Sequence, residues 1–490
     1  MDRMTPLKPV PSLIAIIITL CIWFVIPQPQ NVTPNAWHLL ALFVGTIAAI
    51  IGKALPIGAI SIIAIALVAL TGVTNPGKPA AALNDALSGF SNNLIWLIGI
   101  SIMLSQSLNK TGLGARIGYY FISLVGKSTL GIAYALAIAE TLLAPVTPSN
   151  TARGGGIIHP IMRSIADSFN SKPESGSTEK IGRYLALVNY NINPITSAMF
   201  ITATAPNPLI VNLIMKETGS AFELTWGMWA IAALLPALVS LIVIPLVIYW
   251  LYPPQIKITP NAQVFAKEKM RELGPVSLPE KITLAAFGLL LLLWAGIPAL
   301  CLGNTWAVDP TTAALMGLSV LLITGVLSWD DLLKNKGAWD TIVWFAALVM
   351  MATFLGKLGL ISWLSQSVGG AIDHLGIGWI GGTILLVLVY VYSHYFFAST
   401  TAHITAMFAA FFTAGLALGA PPAFLALILA FSSSLMMSLT HYGTGTAPII
   451  FGSGYVTLGE WWKTGFILSV INLIIWILVG GLWWKWLGYW

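Results

Sequence analysis

The chain has 490 residues, 57% hydrophobic and only 8% charged, with a net charge of +6 and a mean hydropathy of +0.86. Soluble domains carry roughly 25% charged residues, so the composition excludes a soluble globular protein and predicts an all-α protein that crosses a membrane many times. The positive balance does not indicate nucleic acid, because Lys and Arg collect in the loops between apolar runs, as the positive-inside rule expects. The two cysteines, Cys21 and Cys301, lie in apolar runs and suggest neither a metal site nor a disulfide framework.

In chain order, the N-terminal stretch "MDRMTPLKPVPSLIAIIITLCIWFVIP" has a basic start and an apolar core but no small-x-small cleavage site, so it reads as a retained first helix. Apolar runs follow near 36–52, 55–73, 88–108, 115–147, 184–216 and 225–252, then near 282–302, 311–327, 338–364, 376–398, 403–418, 422–440 and 461–489. A span needs roughly 20 apolar residues, leaving room for about a dozen membrane segments. Trp gathers near the run ends, as in the terminal "WLGYW", where indoles favour the lipid–water boundary. Two longer polar loops, Arg163–Arg183 and Tyr252–Lys281, are rich in Lys and Arg and are expected in the cytoplasm, together with the N-terminus that carries Arg3 and Lys8. The loop "QPQNVTPNAW" has no basic residue and is expected to face outward.

The second polar loop divides the chain into halves that match. "NNLIWLIGISIMLSQSLNKTGLGARI" corresponds to "DTIVWFAALVMMATFLGKLGLISWL", with Trp96 opposite Trp344. "LLAPVTPSNTARGGG" corresponds to "YFFASTTAHITAM", placing Arg153 opposite His403, and "ITATAPNPLI" corresponds to "YGTGTAPIIFG". Three matches in the same order at an offset of about 250 residues imply an internal duplication. The expected units are residues 1–252, a linker at 253–281, and residues 282–490, with broken helices at 145–153 and 398–403.

The breaks carry the functional reading. Non-helical backbone survives at membrane depth only inside protein or around a cavity, and paired interruptions in two repeats point to a transporter's substrate site. Pro145 and Pro148 end one helix, and Ser149, Asn150 and Thr151 are suited to cap the next. A helix starting there aims free N–H groups and hydroxyls at one point, which makes an anion site. Ser399, Thr400 and Thr401 supply the second cluster, so a small dianion held at both ends is the expected cargo. Thr204, Pro206 and Asn207 in one half, and Thr444, Gly445 and Thr446 in the other, form loops placed to close over it. Arg153 is permanently charged and must face a cavity and a partner. Glu140 is the obvious internal partner; 13 residues of straight helix would put the two about 20 Å apart, a distance that a break in the helix shortens, so an internal ion pair stands as the alternative. His403 reads either as a second, titratable cation or as a hydrogen-bonded core imidazole. Walker, HExxH, CxxC and GxSxG motifs are absent, so no catalytic machinery and no cofactor are expected.

At "APVTPSNTARGGG", "YFFASTTAHITAM" and "THYGTGTAPIIFGSGYV" the sequence resembles the divalent anion/sodium symporter family over essentially its whole length, including "LSGFSN" and "KNKGAWDTIVW", and looks closest to its dicarboxylate exchanger branch. The first triplet fits the family motif, whereas the second has Thr400 where Asn is common. The resemblance implies two inverted repeats, a homodimeric scaffold, an elevator-type mobile domain, and re-entrant hairpins expected at Asn84–Asn109 and Lys336–Gly359. It implies exchange of di- or tricarboxylates, with Na⁺- or H⁺-coupled symport of the same substrates as the alternative, in a bacterial inner membrane, since no plastid transit peptide is visible. Sodium-coupled relatives bind Na⁺ beside the Ser-Asn-Thr tips. Here Arg153 and His403 are expected to replace that ion, to offset the charge of the cargo, and, left unpaired in the empty carrier, to bar its return.

Overall fold

In a computed structural model, residues 7–219, 222, 224–360, 363, 378–397 and 399–490 are described. In chain order the helices are α1 (Pro9–Leu20), α2 (Pro34–Ile51), α3 (Ile57–Thr71), α4 (Pro79–Leu87), α5 (Asn93–Thr111), α6 (Leu113–Val125), α7 (Thr129–Leu143), α8 (His159–Ser168), α9 (Gly182–Met199), α10 (Pro206–Glu217) and α11 (Trp226–Leu251). They continue as α12 (Pro260–Glu272), α13 (Leu278–Trp294), α14 (Ile297–Leu302), α15 (Pro310–Ile323), α16 (Trp329–Lys334), α17 (Lys336–Lys357), α18 (Trp379–Tyr392), α19 (Thr400–Ala417), α20 (Pro422–Leu435), α21 (Thr446–Gly452), α22 (Leu458–Ile475) and α23 (Gly481–Trp486). The all-α architecture follows from local signals. Proline opens α2, α10, α12 and α15, where its missing N–H costs nothing. Ser277 with Glu280, Ser328 with Asp331 and Thr457 with Glu460 close capping boxes.

Eight described helices are long and apolar enough to cross a bilayer, or nine if Pro79–Ser91 and Asn93–Thr111 form one bent span. The shortfall against about a dozen expected segments has a structural cause: several apolar runs are arms of hairpins or halves of broken helices. Gly114 abuts Ile157 and Gly118 abuts Ile161, so α6 runs parallel to the segment 151–168. Since α6 and α7 pack as antiparallel neighbours across the turn at Gly126–Ser128, the chain reverses between α7 and α8. The second reversal lies between α18 and α19, where Gly382 abuts Leu418 at the open end and His394 meets His403 near the tip.

These reversals correct the expected hairpin positions. Lys336–Lys357 is one continuous helix, and the break at Asn92 bends the chain by 45°, well short of a reversal. The hairpin tips are instead the segments read as broken helices: residues 144–150, and the turn before Thr400, of which Ala398 lies outside the described residues. The helix breaks fall one element later, at 200–205 between α9 and α10 and at 440–445 between α20 and α21.

The order hairpin, then broken helix, therefore occurs twice. The counterpart helices α9 and α20 run antiparallel at the centre: Tyr190 of α9 bonds Met437 O, while Trp229 joins Ala198 O at 2.7 Å to the ring of Phe431. Apart from Arg183, every residue of α9 is buried, including Asn189, Asn191, Asn193, Thr196 and Ser197. Polar side chains enclosed in this way take their hydrogen-bond partners from inside the protein.

Basic residues gather at one end of the bundle. There the two polar loops meet, with Gln255 N–H on Glu179 O and Ile256 N–H on Lys180 O, each at 3.0 Å. Arg116 bonds Glu280 at 2.6 Å, Lys110 bonds Asp331 at 2.6 Å, and Arg183 bonds Glu460 at 3.0 Å on the same side.

Candidate functional site

Tip 1 is built from the stretch Ala144–Gly156. Pro145 and Pro148 cannot donate to a helical ladder, so α7 ends in a short turn whose Pro145 carbonyl accepts the Thr202 hydroxyl at 2.5 Å. Ser149 then caps the return arm: its Oγ accepts the Ala152 N–H at 3.2 Å, and its carbonyl accepts the Arg153 N–H at 3.0 Å. The arm opens as a wide π-helical stretch, Thr151–Ile158. Gly154 answers a packing need. A Cβ on Gly154 would lie 2.7 Å from Asn193 Nδ2 and 3.1 Å from Thr446 Cγ2, so only glycine lets tip 1 seat against α9 and α21.

Tip 2 repeats the plan with fewer polar ties. Ser399 Oγ accepts the Ala402 N–H at 3.3 Å and its carbonyl accepts the His403 N–H at 3.1 Å. Thr400 Oγ1 donates to Gly443 O at 3.1 Å, joining tip 2 to the second break. Asn150 joins tip 1 to the same break, donating to Thr444 Oγ1 at 2.9 Å. At Gly445 the backbone passes so close that an added Cβ would lie 2.5 Å from Thr151 Oγ1.

Two tips and two breaks thus enclose a pocket of about 240 Å³, below the roughly 300–1,000 Å³ typical of drug-sized ligands. Its walls include Ser149, Asn150 and Thr151 from tip 1, Ser399, Thr400 and Thr401 from tip 2, Thr204 and Pro206 from the first break, and Thr444 and Gly445 from the second. Among the described residues, no Lys, Arg, His, Asp or Glu lines it. Its recognition chemistry is that of donors. The oxygens of Ser149, Ser399 and Thr444 are already acceptors within the protein, so their hydroxyl protons are left to point at an occupant. The N–H groups that open α19 and the 151–158 segment converge beside them, and helix starts of this kind carry partial positive charge.

Four expected contact residues stand behind the wall. Asn207 donates to Ser197 O at 2.8 Å and to Phe200 O at 2.9 Å, pinning the first break. Thr446 Oγ1 reaches Asn193 Oδ1 at 3.5 Å. Arg153 is fully buried and its guanidinium is saturated: Nε donates to Glu140 Oε1, and Nη1 to Thr147 O and Ala203 O, all at 2.8 Å. Nη2 donates to Ser197 Oγ at 3.0 Å and Thr196 Oγ1 at 3.3 Å. The expectation that Arg153 meets the cargo and stands unpaired in an empty site is therefore corrected. The reversal at tip 1 brings Glu140 back against it, a contact that a straight helix forbids. His403 is likewise enclosed, with Nδ1 3.0 Å from His394 Nδ1, Nε2 3.3 Å from Ser393 Oγ, and the Phe397 ring stacked 4.6 Å away. The core-imidazole alternative is the one that the geometry matches.

Three contributors were not singled out from the sequence. Asn193 donates to Glu140 Oε1 at 2.6 Å and to Asn150 O at 3.1 Å, coupling the buried ion pair to the tip. The polar run "NYNINPITS" inside an apolar stretch was the available signal. Ile102 of α5 and Thr341 of α17 close the pocket from outside the hairpins, and no local signal marks either.

The chain matches the family described as "Sodium:sulfate symporter transmembrane region" over residues 8–490. It is 51% identical over 488 residues to YflS of Bacillus subtilis (strain 168), a candidate malate transporter by its name, covering 100% of this chain and 98% of that one. It is 45% identical over 480 residues to dicarboxylate transporter 1, chloroplastic, of Spinacia oleracea, covering 98% and 82%. The solved structure of MtrF from Neisseria gonorrhoeae, an antimetabolite efflux pump by its title, superposes with a TM-score of 0.54 at 14% identity, covering 98% of this chain and 96% of that one. The Alcanivorax borkumensis YdaH transporter does so at 0.52 and 13%, covering 92% and 99%. At those identities the two structures are similar in fold alone.

Proposed function

The chain belongs to the sodium:sulfate symporter family of membrane transporters, and on that premise we propose that it exchanges small dicarboxylates, or tricarboxylates such as citrate, across a bacterial inner membrane without sodium. The observation that carries this reading is the pairing of two donor-lined hairpin tips around one small pocket that, among the described residues, has no ionised side chain in its wall. A carboxylate only accepts hydrogen bonds, and each tip offers a capping hydroxyl and open backbone N–H groups to one end of a short dianion. The names of the Bacillus and spinach relatives point to the same substrate class.

Sodium independence is supported by what fills the space behind tip 1. Glu140, the carbonyls of Thr147 and Ala203, and the hydroxyls of Thr196 and Ser197 form an oxygen-rich cage, and the guanidinium of Arg153 occupies it as a built-in cation. Tip 1 is thereby assembled without a mobile ion. Obligate exchange follows from the donors. In an empty pocket two helix starts, each equivalent to roughly half a positive charge, face each other with no anion to draw the tips onto the breaks. The loaded form is the one that closes and crosses. In this reading the hairpins and broken helices move as an elevator body against a dimeric scaffold that contains α5 and α17.

The test is counterflow in proteoliposomes. Labelled succinate or malate enters only when a dicarboxylate is enclosed, with sodium or with N-methylglucamine alike. Uptake into empty vesicles driven by a sodium gradient would falsify exchange. The enclosed imidazole pair His394–His403 favours a second reading, proton-coupled symport, and uptake into empty vesicles driven by a pH gradient alone would establish it.

A further inference from the structure

The hydroxyls around the pocket differ in whether a proton is left for the cargo. Ser149, Ser399 and Thr444 accept through oxygen and keep theirs. Thr341 is the opposite case. Its Oγ1 donates to Gly337 O at 2.7 Å, one turn back along α17, and its own N–H lies within the helix. With its proton committed to Gly337 O, the Oγ1 of this lining residue has lone pairs only to offer. Thr400 also commits its proton, to Gly443 O, but it stands at the start of α19 beside open N–H groups, so tip 2 still acts as a donor. Thr341 thus offers an acceptor away from both helix starts, on a wall that belongs to neither tip.

A carboxylate gains nothing from such a group, because acceptor faces acceptor. A hydroxyl on the carbon chain of the cargo does gain, because its O–H can donate to Thr341 while the carboxylates are held at the tips. We propose that Thr341 reads the hydroxyl of the substrate and sets a preference for 2-hydroxydicarboxylates over unsubstituted dicarboxylates of the same length. The inference rests on the dicarboxylate reading and narrows its substrate class. One neutral hydrogen bond corresponds to a discrimination of about 3- to 10-fold.

The experiment is counterflow competition between malate and succinate in proteoliposomes of the full chain, for the unaltered protein, Thr341→Val and Thr341→Ser. The readout is the malate-to-succinate ratio, so a variant that merely carries less protein or turns over slowly does not disturb it. Thr341→Val keeps the branched shape and removes the acceptor, and the ratio is expected to fall about 3- to 10-fold. Thr341→Ser restores the oxygen and is expected to keep the ratio within about twofold of the starting value. Threonine in helices often bonds the carbonyl one turn back for purely local reasons. If that is all Thr341 does, valine changes both rates together and the ratio stays put, which overturns the proposal. A ratio that falls equally in the serine variant overturns it too. Exchange of neither compound by the unaltered protein removes the dicarboxylate reading itself, and this inference with it.

Discussion

The two hairpin tips share a plan and differ in what stands behind them. Each has a serine cap, two further polar residues, and a large basic side chain four residues after the cap. Behind tip 1 that side chain is Arg153, paired with Glu140 and ringed by Asn193, Thr196 and two carbonyls. Behind tip 2 it is His403, set against a second imidazole, His394, and the ring of Phe397. Both arrangements brace a reversing backbone against the next element with side chains of the chain itself. Tip 1 uses a desolvated ion pair, which demands every partner. Tip 2 uses a hydrogen bond between imidazoles and ring stacking, which demands less. The pocket between them receives no ionised group from either, so on the dicarboxylate reading the charge of the cargo is met by oriented N–H and O–H dipoles.

The largest expected break in this comparison is Arg153→Ala. Removing one partner of a buried pair leaves Glu140 uncompensated, at a cost of about 3–5 kcal/mol. We expect a marked fall in thermal stability in detergent together with loss of exchange, whereas a cargo contact alone would leave stability intact. Pairing it with Glu140→Gln is expected to recover a large part of that stability. If the guanidinium stands in for a mobile cation, sodium in place of N-methylglucamine should raise the stability of Arg153→Ala and leave the unaltered protein unaffected. Equal responses of the two proteins to sodium would end that idea.

How much of this was legible in the sequence depends on whether the signal was local. Pro145, Pro148 and the Ser-x-Thr triplets state their own purpose, because chain stops and helix caps act within a few residues. The duplication was legible because Ser149 and Ser399, and Arg153 and His403, keep register. The direction of the chain after each stop was not legible. Lys336–Lys357 and the arms of the true hairpins are alike in apolar character, and only packing of Gly114 on Ile157 and Gly118 on Ile161 distinguishes an arm that returns from one that continues. The Glu140–Arg153 contact depends on that reversal. Thr341 depends on it further, since its place in the wall follows from how α17 lies against the assembled tips.

A smaller effect is expected from His403→Gln. Glutamine can replace one hydrogen bond but neither the stacking on Phe397 nor the fit against Tyr390, for a loss of about 1–2 kcal/mol. Because the ring does not face the pocket, we expect exchange to fall in amplitude between pH 6 and 8 with the profile keeping its shape. A profile that flattens or moves would mean that the imidazole pair titrates during the cycle. The proton-coupled reading would then take precedence, and tip 2 would become the switchable partner of a fixed tip 1.

The smallest effect separates the ties that join the tips to the second break. Asn150 reaches Thr444 at 2.9 Å and Asn193 at 3.4 Å, so Asn150→Ala loosens tip 1 from both the break and the ion-pair network. Thr400→Val removes one bond, to Gly443 O at 3.1 Å, and keeps the side-chain volume, for a loss of about 1 kcal/mol. If tip 1 is the fixed brace and tip 2 the lightly held one, Asn150→Ala should lower the exchange rate for every substrate. Thr400→Val should chiefly raise the substrate concentration needed for half-maximal exchange. A Thr400 variant as damaging as the Asn150 variant would show that the second tip bears as much of the closed state as the first. The ionic brace would then be a matter of local chemistry, without a hierarchy between the two tips.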